Sequence, residues 1–213
     1  MSCTFELGHY AEILEAAKAG GYRFEPFEES PAPGDLFLRH DVDLSLEAAI
    51  AMAELEAEHE ARATYFLMTE SVFYNLASSE GVAAIVRLRE LGHWVGLHAV
   101  HPHAELDDRF EPVVAWHNPS AEYMTVRLPD AVNVYSDPWF TPATYRSDSN
   151  QHWRSGCPHE ELRAGGFPWL QLLDHPEIWV YPGSTMGATM RSMLEHEREH
   201  RLVQLAADGI DLD

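Results

Sequence analysis

The sequence predicts an α/β fold built on a parallel sheet that is either open or closed into a barrel. Short apolar runs alternate with longer amphipathic segments along most of the 213 residues. This alternation is typical of parallel strands joined by helices. The length suits one domain with a full hydrophobic core. A hydrophobic content of 46% excludes a disordered or fibrous chain.

The elements follow in order along a single domain, 1–213. Residues 1–34 are expected to form an N-terminal helix followed by a loop. Amphipathic spacing over 4–19 predicts the helix, and Gly20-Gly21 marks its end. Residues 35–182 predict the barrel, in which Ser45 is a suitable N-cap for the first helix after a strand. Strands are expected at 35–43, 61–68, 93–99, 112–118, 131–136, 143–148 and 168–175, and helices at 45–60, 81–91 and 186–206, the last of which closes the domain.

Charge and composition exclude several classes of function. The chain has 14 Lys and Arg against 35 Asp and Glu, a net charge of −21. Such a surface repels phosphate backbones and anionic lipid, so we expect no nucleic-acid or membrane partner. The first residues lack the basic and apolar regions of a signal peptide, which predicts a cytoplasmic protein. Two cysteines, Cys3 and Cys157, are too few for a disulfide framework or a cysteine-based zinc site.

Ionisable residues stand at the ends of five predicted strands. The carboxyl ends of parallel strands share one edge of the sheet, where ligands bind and reactions occur. We therefore expect these side chains to converge. They are Asp41 and Asp43, His98, His117, Arg146 and Asp148, and His175.

The segment His40-Asp41-Val42-Asp43 carries two carboxylates on one face. Side chains alternate along a strand, so Arg39, Asp41 and Asp43 point the same way. Neighbouring carboxylates repel each other unless a positive charge lies between or beside them. A divalent metal can bind one of them while the other accepts a proton from water. Alternatively, the pair caps the next helix, although Ser45 can do this instead.

Several histidines are candidate metal ligands or proton carriers. His98, His101 and His103 have spacings of three and two, which resemble half of a metal site, or they are polar loop residues. An Asn-Pro turn follows His117 and would fix its direction. A proline also follows His175, although a lone histidine beside an apolar run is often a core residue.

The stretch from His196 to His200 matches the H-E-x-x-H pattern of zinc peptidases. It lies in a run of charged residues on the last helix, and such runs are usually solvated faces. No histidine follows it to complete a ligand set. We therefore favour a solvated helix face over a peptidase.

Six segments in order resemble the polysaccharide deacetylase superfamily, carbohydrate esterase family 4 and its relatives. They lie between about residues 36 and 182 and read LRHDVD, ATYF, LGHWVGLH, AWHNPS, YRSDSNQHWR and LQLLDHP. The similarity is to an intracellular branch. It implies a distorted (β/α) barrel and a divalent metal, most often zinc, held by one Asp and two His. It also implies hydrolysis of an N-acetyl or related acyl group.

Carried over by the resemblance, Asp41 is the general base and Asp43 and His98 are metal ligands. The family's second histidine falls at Pro102, so His101, His103 or His117 must replace it. We favour His117, because the end of a strand is stiffer than a loop.

The resemblance also implies roles around the metal. Arg146 would orient the base, and His175 would protonate the leaving amine. Trp153, Arg154 and Asp148 would contact the substrate.

One connection is too short for the expected barrel. Residues 104–111 offer eight positions, whereas a parallel crossover helix needs about 10–12. One outer helix is therefore missing or reduced to a turn, which leaves the barrel incomplete. An uncovered apolar face would need cover. We expect a homodimer, or another subunit, over this gap.

The sequence thus predicts a metal-dependent hydrolase that removes an acetyl or other acyl group from the nitrogen of a sugar or small metabolite. The alternative is a non-catalytic member of the family that binds a metal or ligand as a subunit of a complex. The altered second histidine and the missing helix favour this alternative.

Overall fold

A computed structural model describes residues 3–101 and 105–211 and shows an α/β fold. The strands are β1 (Arg23–Phe24), β2 (Asp35–Val42), β3 (Ala63–Leu67), β4 (Trp94–Ala99), β5 (Val113–Trp116), β6 (Val132–Asn133), β7 (Tyr145–Ser147) and β8 (Leu170–Asp174). The helices are α1 (Leu7–Ala19), α2 (Leu46–Glu58), α3 (Ser79–Glu90), α4 (Ala121–Thr125), α5 (His159–Arg163), α6 (Pro176–Val180) and α7 (Met186–Ala207).

The strands form one curled parallel sheet in the order β6-β5-β4-β3-β2-β8-β7, and β1 adds to the start of β2. Every paired strand runs parallel to its neighbour. Within the described residues, β6 and β7 do not pair with each other. The sheet is therefore a half-barrel, which confirms the α/β class and the incomplete barrel.

The two faces of the sheet pack differently. The outer face lies under α1, α2 and α3, and Leu38, Tyr65 and Leu172 belong to its core. The inner face of the curl packs a smaller aromatic cluster that includes Phe37 and Phe66. Burial on both faces explains why every residue of β2 is buried, including its charged residues.

Most of the predicted elements occur within a few residues of their expected bounds. Ser45 caps α2 as predicted, because its Oγ accepts a hydrogen bond of 3.1 Å from the amide of Ala48. Helices α4, α5 and α6 were not predicted. Each has five residues, which is too short to show a helical period.

The connection between β4 and β5 has no helix in its described part, residues 105–111, as predicted. Trp116 on the outer face is only 4% exposed, and its ring lies 5.5 Å from that of Tyr123 in α4. Phe110 is also buried beside this face. These two side chains are therefore covered within the chain, and the homodimer or partner subunit over 104–111 stays a prediction.

None of the helices in the described ranges combines the length and apolarity needed to cross a bilayer.

Gly96 in β4 lies directly against packed side chains of the interior. A Cβ atom there would lie 2.6 Å from Cε1 of Phe66 and 3.0 Å from Cγ1 of Val113. We expect Gly96→Ala to lower the free energy of unfolding by about 1–3 kcal/mol, because the added methyl group must displace packed side chains. Urea denaturation measures this. Gly8→Ala is the matched control, since a Cβ at Gly8 meets no atom within 4 Å. A Gly96→Ala chain as stable as wild type would contradict the close packing.

Candidate metal centre

Three potential metal ligands from separate strands converge at the carboxyl edge of the sheet. Asp43 follows β2, His98 lies near the end of β4, and His117 follows β5. Oδ1 of Asp43 lies 3.0 Å from Nε2 of His98 and 3.2 Å from Nδ1 of His117. The two histidine nitrogens are 3.3 Å apart. The structure thus brings together the three residues that the sequence analysis favoured as ligands.

The spacing of these three atoms fits a tetrahedral zinc ion. With bonds of about 2.0–2.1 Å to nitrogen and oxygen, neighbouring ligand atoms are separated by about 3.3 Å. The observed separations of 3.0, 3.2 and 3.3 Å lie near this value. The three residues therefore fit a divalent ion with little rearrangement.

Hydrogen bonds behind the two histidines affect their metal binding differently. Nδ1 of His98 lies 3.0 Å from the carbonyl oxygen of Ala115, which can only accept, so Nδ1 carries a proton and Nε2 faces Asp43. Nε2 can donate to Asp43 when it too is protonated, and its lone pair can bind a metal when it is not. Nδ2 of Asn118, which can only donate, lies 2.9 Å from Nε2 of His117. This contact leaves the proton of a neutral His117 on Nδ1, so metal binding through Nδ1 requires the Asn118 amide to turn and present its oxygen to Nε2.

Asp43 and the histidines also affect one another electrostatically. Burial alone would raise the pKa of Asp43, but hydrogen bonds from His117 and His98 lower it well below its usual range. The hydrogen bond to Asp43 raises the pKa of His117. A carboxylate that is ionised at neutral pH and close to two imidazoles is a suitable donor set for a dication.

Asp41 lies beside this cluster and is held by Arg39. Nε and Nη2 of Arg39 donate to Oδ1 and Oδ2 of Asp41 at 2.8 and 2.7 Å. Oδ2 of Asp41 is 3.7 Å from Nε2 of His98. Burial alone would raise the pKa of Asp41, but the charges of Arg39 and His98 lower it. Asp41 is therefore an ionised carboxylate next to the candidate ligands.

Arg146, which we expected to orient Asp41, contacts other groups, and Arg39 holds Asp41 instead. Nη1 of Arg146 donates to the carbonyl of Tyr145, and Nη2 lies 3.3 Å from Glu161. Its guanidinium also lies over the ring of Phe167. Arg146 thus points away from Asp41. Arg39 carried a signal in the sequence, since alternation along β2 places it on the same face as Asp41.

His175 follows β8 and is held by Asp148. Nδ1 of His175 lies 2.6 Å from Oδ1 of Asp148, and the backbone amide of His175 donates to Oδ2. Burial alone would lower the pKa of His175, but the charge and hydrogen bond of Asp148 raise it to about 10. Asp148 is fully buried. It therefore positions His175. The expectation that Asp148 contacts a substrate is not met, because its side chain is not exposed to the cavity beside His175.

Glu177 is a further acidic group that the sequence did not reveal. It is 1% exposed, and its Oε2 has no hydrogen-bond partner among the described residues. Burial, together with the charge of Asp43, raises its pKa to about 8. No spacing or pattern distinguishes this glutamate in the sequence, because it follows Pro176 at the start of a five-residue helix.

A cavity of about 380 Å³ opens over the cluster. Its polar lining includes Asp43, His117, His175 and Glu177. Its apolar lining is Leu44, Met68, Val72, Phe73, Val100, Ile178 and Met186. The cavity can therefore accept a small molecule that has both polar and apolar parts.

The other sequence candidates lie elsewhere. Nε2 of His101 is 2.8 Å from Glu70, and His103 is outside the described residues. Trp153 is buried against Phe5 and Trp179, and exposed Arg154 does not line the cavity, so neither is placed to contact a substrate there.

The H-E-x-x-H segment also lies apart from any ligand cluster in the described ranges. His196 pairs with Glu47, and His200 is exposed on α7.

Comparison with protein-family models, curated proteins and solved structures gives no match to this chain. The resemblance to polysaccharide deacetylases therefore stays a prediction that rests on the residues themselves.

The pairing of Asp148 with His175 predicts a specific titration. We expect Asp148→Asn to lower the pKa of His175 by about 1–3 pH units in the metal-free chain, because the opposite charge is lost. Imidazole signals in NMR spectra across a pH series measure this. Glu161→Gln is the control, because Glu161 pairs with Arg146 and its loss should leave the pKa of His175 unchanged. An equal pKa of His175 in wild type and Asp148→Asn would contradict the pairing of His175 with Asp148.

The same pair affects stability. The pKa of His175 is higher in the folded chain, about 10, than its ordinary 6.5. The stabilisation that protonated His175 gives to the folded chain is therefore complete below pH 6.5 and is lost as pH rises toward 10. In Asp148→Asn we expect the free energy of unfolding to fall less over this pH range than in wild type.

Proposed function

We propose that this protein is a metal-dependent hydrolase that removes an acetyl or other acyl group from the nitrogen of a sugar or small metabolite. The observation that carries the proposal is the convergence of Asp43, His98 and His117 at tetrahedral spacing beside the ionised Asp41. Zinc is the ion that this donor set suits best, because two imidazoles and one carboxylate form a common catalytic zinc site.

When bound at such a site, zinc lowers the pKa of water toward 7 and polarises a carbonyl group. Asp41 would accept the proton of the attacking water in this proposal. Arg39 fixes both oxygens of Asp41, which holds the carboxylate in one orientation and keeps it ionised. A fixed base of this kind contributes about 10²–10⁴-fold to a rate.

His175 is the proposed proton donor to the departing nitrogen. Nδ1 of His175 contacts Asp148, so Nε2 is the nitrogen that would donate a proton to a molecule in the cavity lined by His175. The raised pKa of His175 means that the imidazole carries its proton at neutral pH, as a general acid requires. Glu177, also at the cavity, is a second candidate donor.

The cavity favours a small substrate. Its volume of about 380 Å³ is at the lower end of the usual range for small-molecule sites, roughly 300–1,000 Å³. The apolar residues that line it can hold an acyl chain, and the carboxylates and histidines can hold the polar part.

One observation favours the second function, a non-catalytic metal- or ligand-binding subunit. Both oxygens of Asp41 already accept hydrogen bonds from Arg39 within a buried pair. If that pair is purely structural, the chain binds a metal without turnover.

We expect wild-type protein to bind about one zinc ion at this cluster, with Asp43→Ala and His98→Ala losing it. Each substitution removes one of three converging donors. A competitive chelator titration at pH 7, with metal analysis of the dialysed protein, measures the affinity. His101→Ala is the matched histidine control and should leave this site unchanged. Unaltered zinc affinity in both Asp43→Ala and His98→Ala would contradict the site.

We expect Asp41→Asn to retain the zinc but lose at least about 100-fold of the hydrolysis rate, because the amide cannot accept the proton. The assay is amine release from a panel of N-acetylated amino sugars and small N-acyl metabolites. Circular dichroism checks that Arg39, deprived of its counterion, has not disrupted the fold. Full activity in Asp41→Asn would exclude it as the base. Zinc binding without hydrolysis of any compound by wild type would favour the binding subunit.

A further inference from the structure

We propose that Cys3, His9 and Cys157 form a second metal site, which binds zinc and ties the N-terminal segment to the rest of the domain. It is distinct from the Asp43 cluster and does not depend on the proposed hydrolysis. Two cysteines are too few for a zinc site made of cysteine alone. The fold, however, brings His9 next to both of them, so the three residues together can form one.

The three ligands come from separate parts of the chain. Cys3 precedes α1, His9 lies in its first turn, and Cys157 lies just before α5. Their potential ligand atoms all lie within 4.8 Å of one another. Nε2 of His9 is 3.3 Å from Sγ of Cys157. This is close to the ~3.5 Å expected between sulfur and nitrogen ligands of one zinc ion.

The surroundings orient these atoms as in protein metal sites. Nδ1 of His9 lies 2.9 Å from Oε2 of Glu12, so the carboxylate accepts the Nδ1 proton and Nε2 faces the sulfurs. Nε1 of Trp153 donates to Sγ of Cys3 at 3.1 Å, and the backbone amide of His159 donates to Cys157. Each of these hydrogen bonds lowers the pKa of the thiol that accepts it, although the contact with Cys157 and burial raise the pKa of Cys3 overall. A bound dication would favour the thiolate form of both.

Two sulfurs and an imidazole select a soft or borderline ion, and zinc is the commonest. His9 is buried, and both cysteines are partly buried and not joined to each other. The ring of His159 lies 5.5 Å from that of His9 and meets it edge-on. His159 is thus the nearest histidine for the fourth position, which water can also fill.

Such a site would join residues that are far apart in sequence. Cys3 and Cys157 are separated by more than 150 positions. An ion bound to both of them and to His9 would link these two segments to α1. Phe5 lies between them in the chain and stacks on Trp153. Zinc would therefore hold this aromatic contact in place.

Cobalt substitution of the full chain, kept reduced, tests the site independently of catalysis. A thiolate bound to Co²⁺ gives a charge-transfer band in the near ultraviolet, and the Asp43 cluster contains no sulfur. We expect this band in wild type and in His98→Ala, and its loss in Cys3→Ser and Cys157→Ser. His200→Ala, an exposed histidine on α7, is the control and should keep the band.

A milder variant keeps the test decisive if the serine variants fold poorly. Glu12→Gln removes only the carboxylate behind His9, and we expect it to weaken zinc binding at this site about 10–100-fold, measured in the His98→Ala background. Equal affinity in Glu12→Gln and its parent would overturn the proposal. Cobalt binding without the sulfur band, or mass spectra showing a Cys3–Cys157 disulfide in the reduced preparation, would also overturn it.

Discussion

The interior of the half-barrel depends on one buried charge, the guanidinium of Arg39. It is fully buried, and leaving such a charge without a partner costs about 3–5 kcal/mol. Asp41 neutralises it, and Gln171 and Tyr135 accept its remaining hydrogen bonds. Gln171 in turn donates to the carbonyls of residues 134 and 139, on the segment between β6 and β7. Arg39 therefore holds the segment between β6 and β7, through Gln171, and also fixes Asp41, the proposed base. The stability of the half-barrel and the geometry of the site thus depend on the same residue.

Strand β2 is anchored by charge on its other face as well. His40 points outward, and its Nε2 lies 2.6 Å from Oε1 of Glu56 in α2. Tyr65 donates to the second oxygen of Glu56, and all three residues are buried. Burial alone would raise the pKa of Glu56, but the charge and hydrogen bond of His40 lower it. Because β2 is held from both faces, the carboxylates at its end have little freedom to move. A rigid strand is the support that a metal ligand requires.

The sequence predicts the half-barrel and the convergence at its carboxyl edge, because alternation and strand ends are local signals. Asp43, His98 and His117 were found in this way. The role given to Arg146 failed because it came from resemblance, while the period-two pattern already placed Arg39 beside Asp41. Glu177 and the proximity of Cys3 to Cys157 leave no local signal, since their neighbours are distant in sequence. The cover that Tyr123 gives to Trp116 was missed because α4 has only five residues, too few to show a helical period.

The two proposed metal sites are connected through packed aromatic side chains. Trp153 donates to Cys3 and lies 6.2 Å, between ring centres, from Trp179. Trp179 donates to Oδ2 of Asp148, the oxygen that also holds the backbone of His175. The orientation of His175 therefore depends on the packing of Trp153 and Trp179, and Cys3 contacts this aromatic pair through Trp153. Asp174, next to His175, is fully buried, and burial raises its pKa well above the usual range. His175 pairs with Asp148 after the end of β8, and an ion at Cys3 would stabilise the packing that positions this pair.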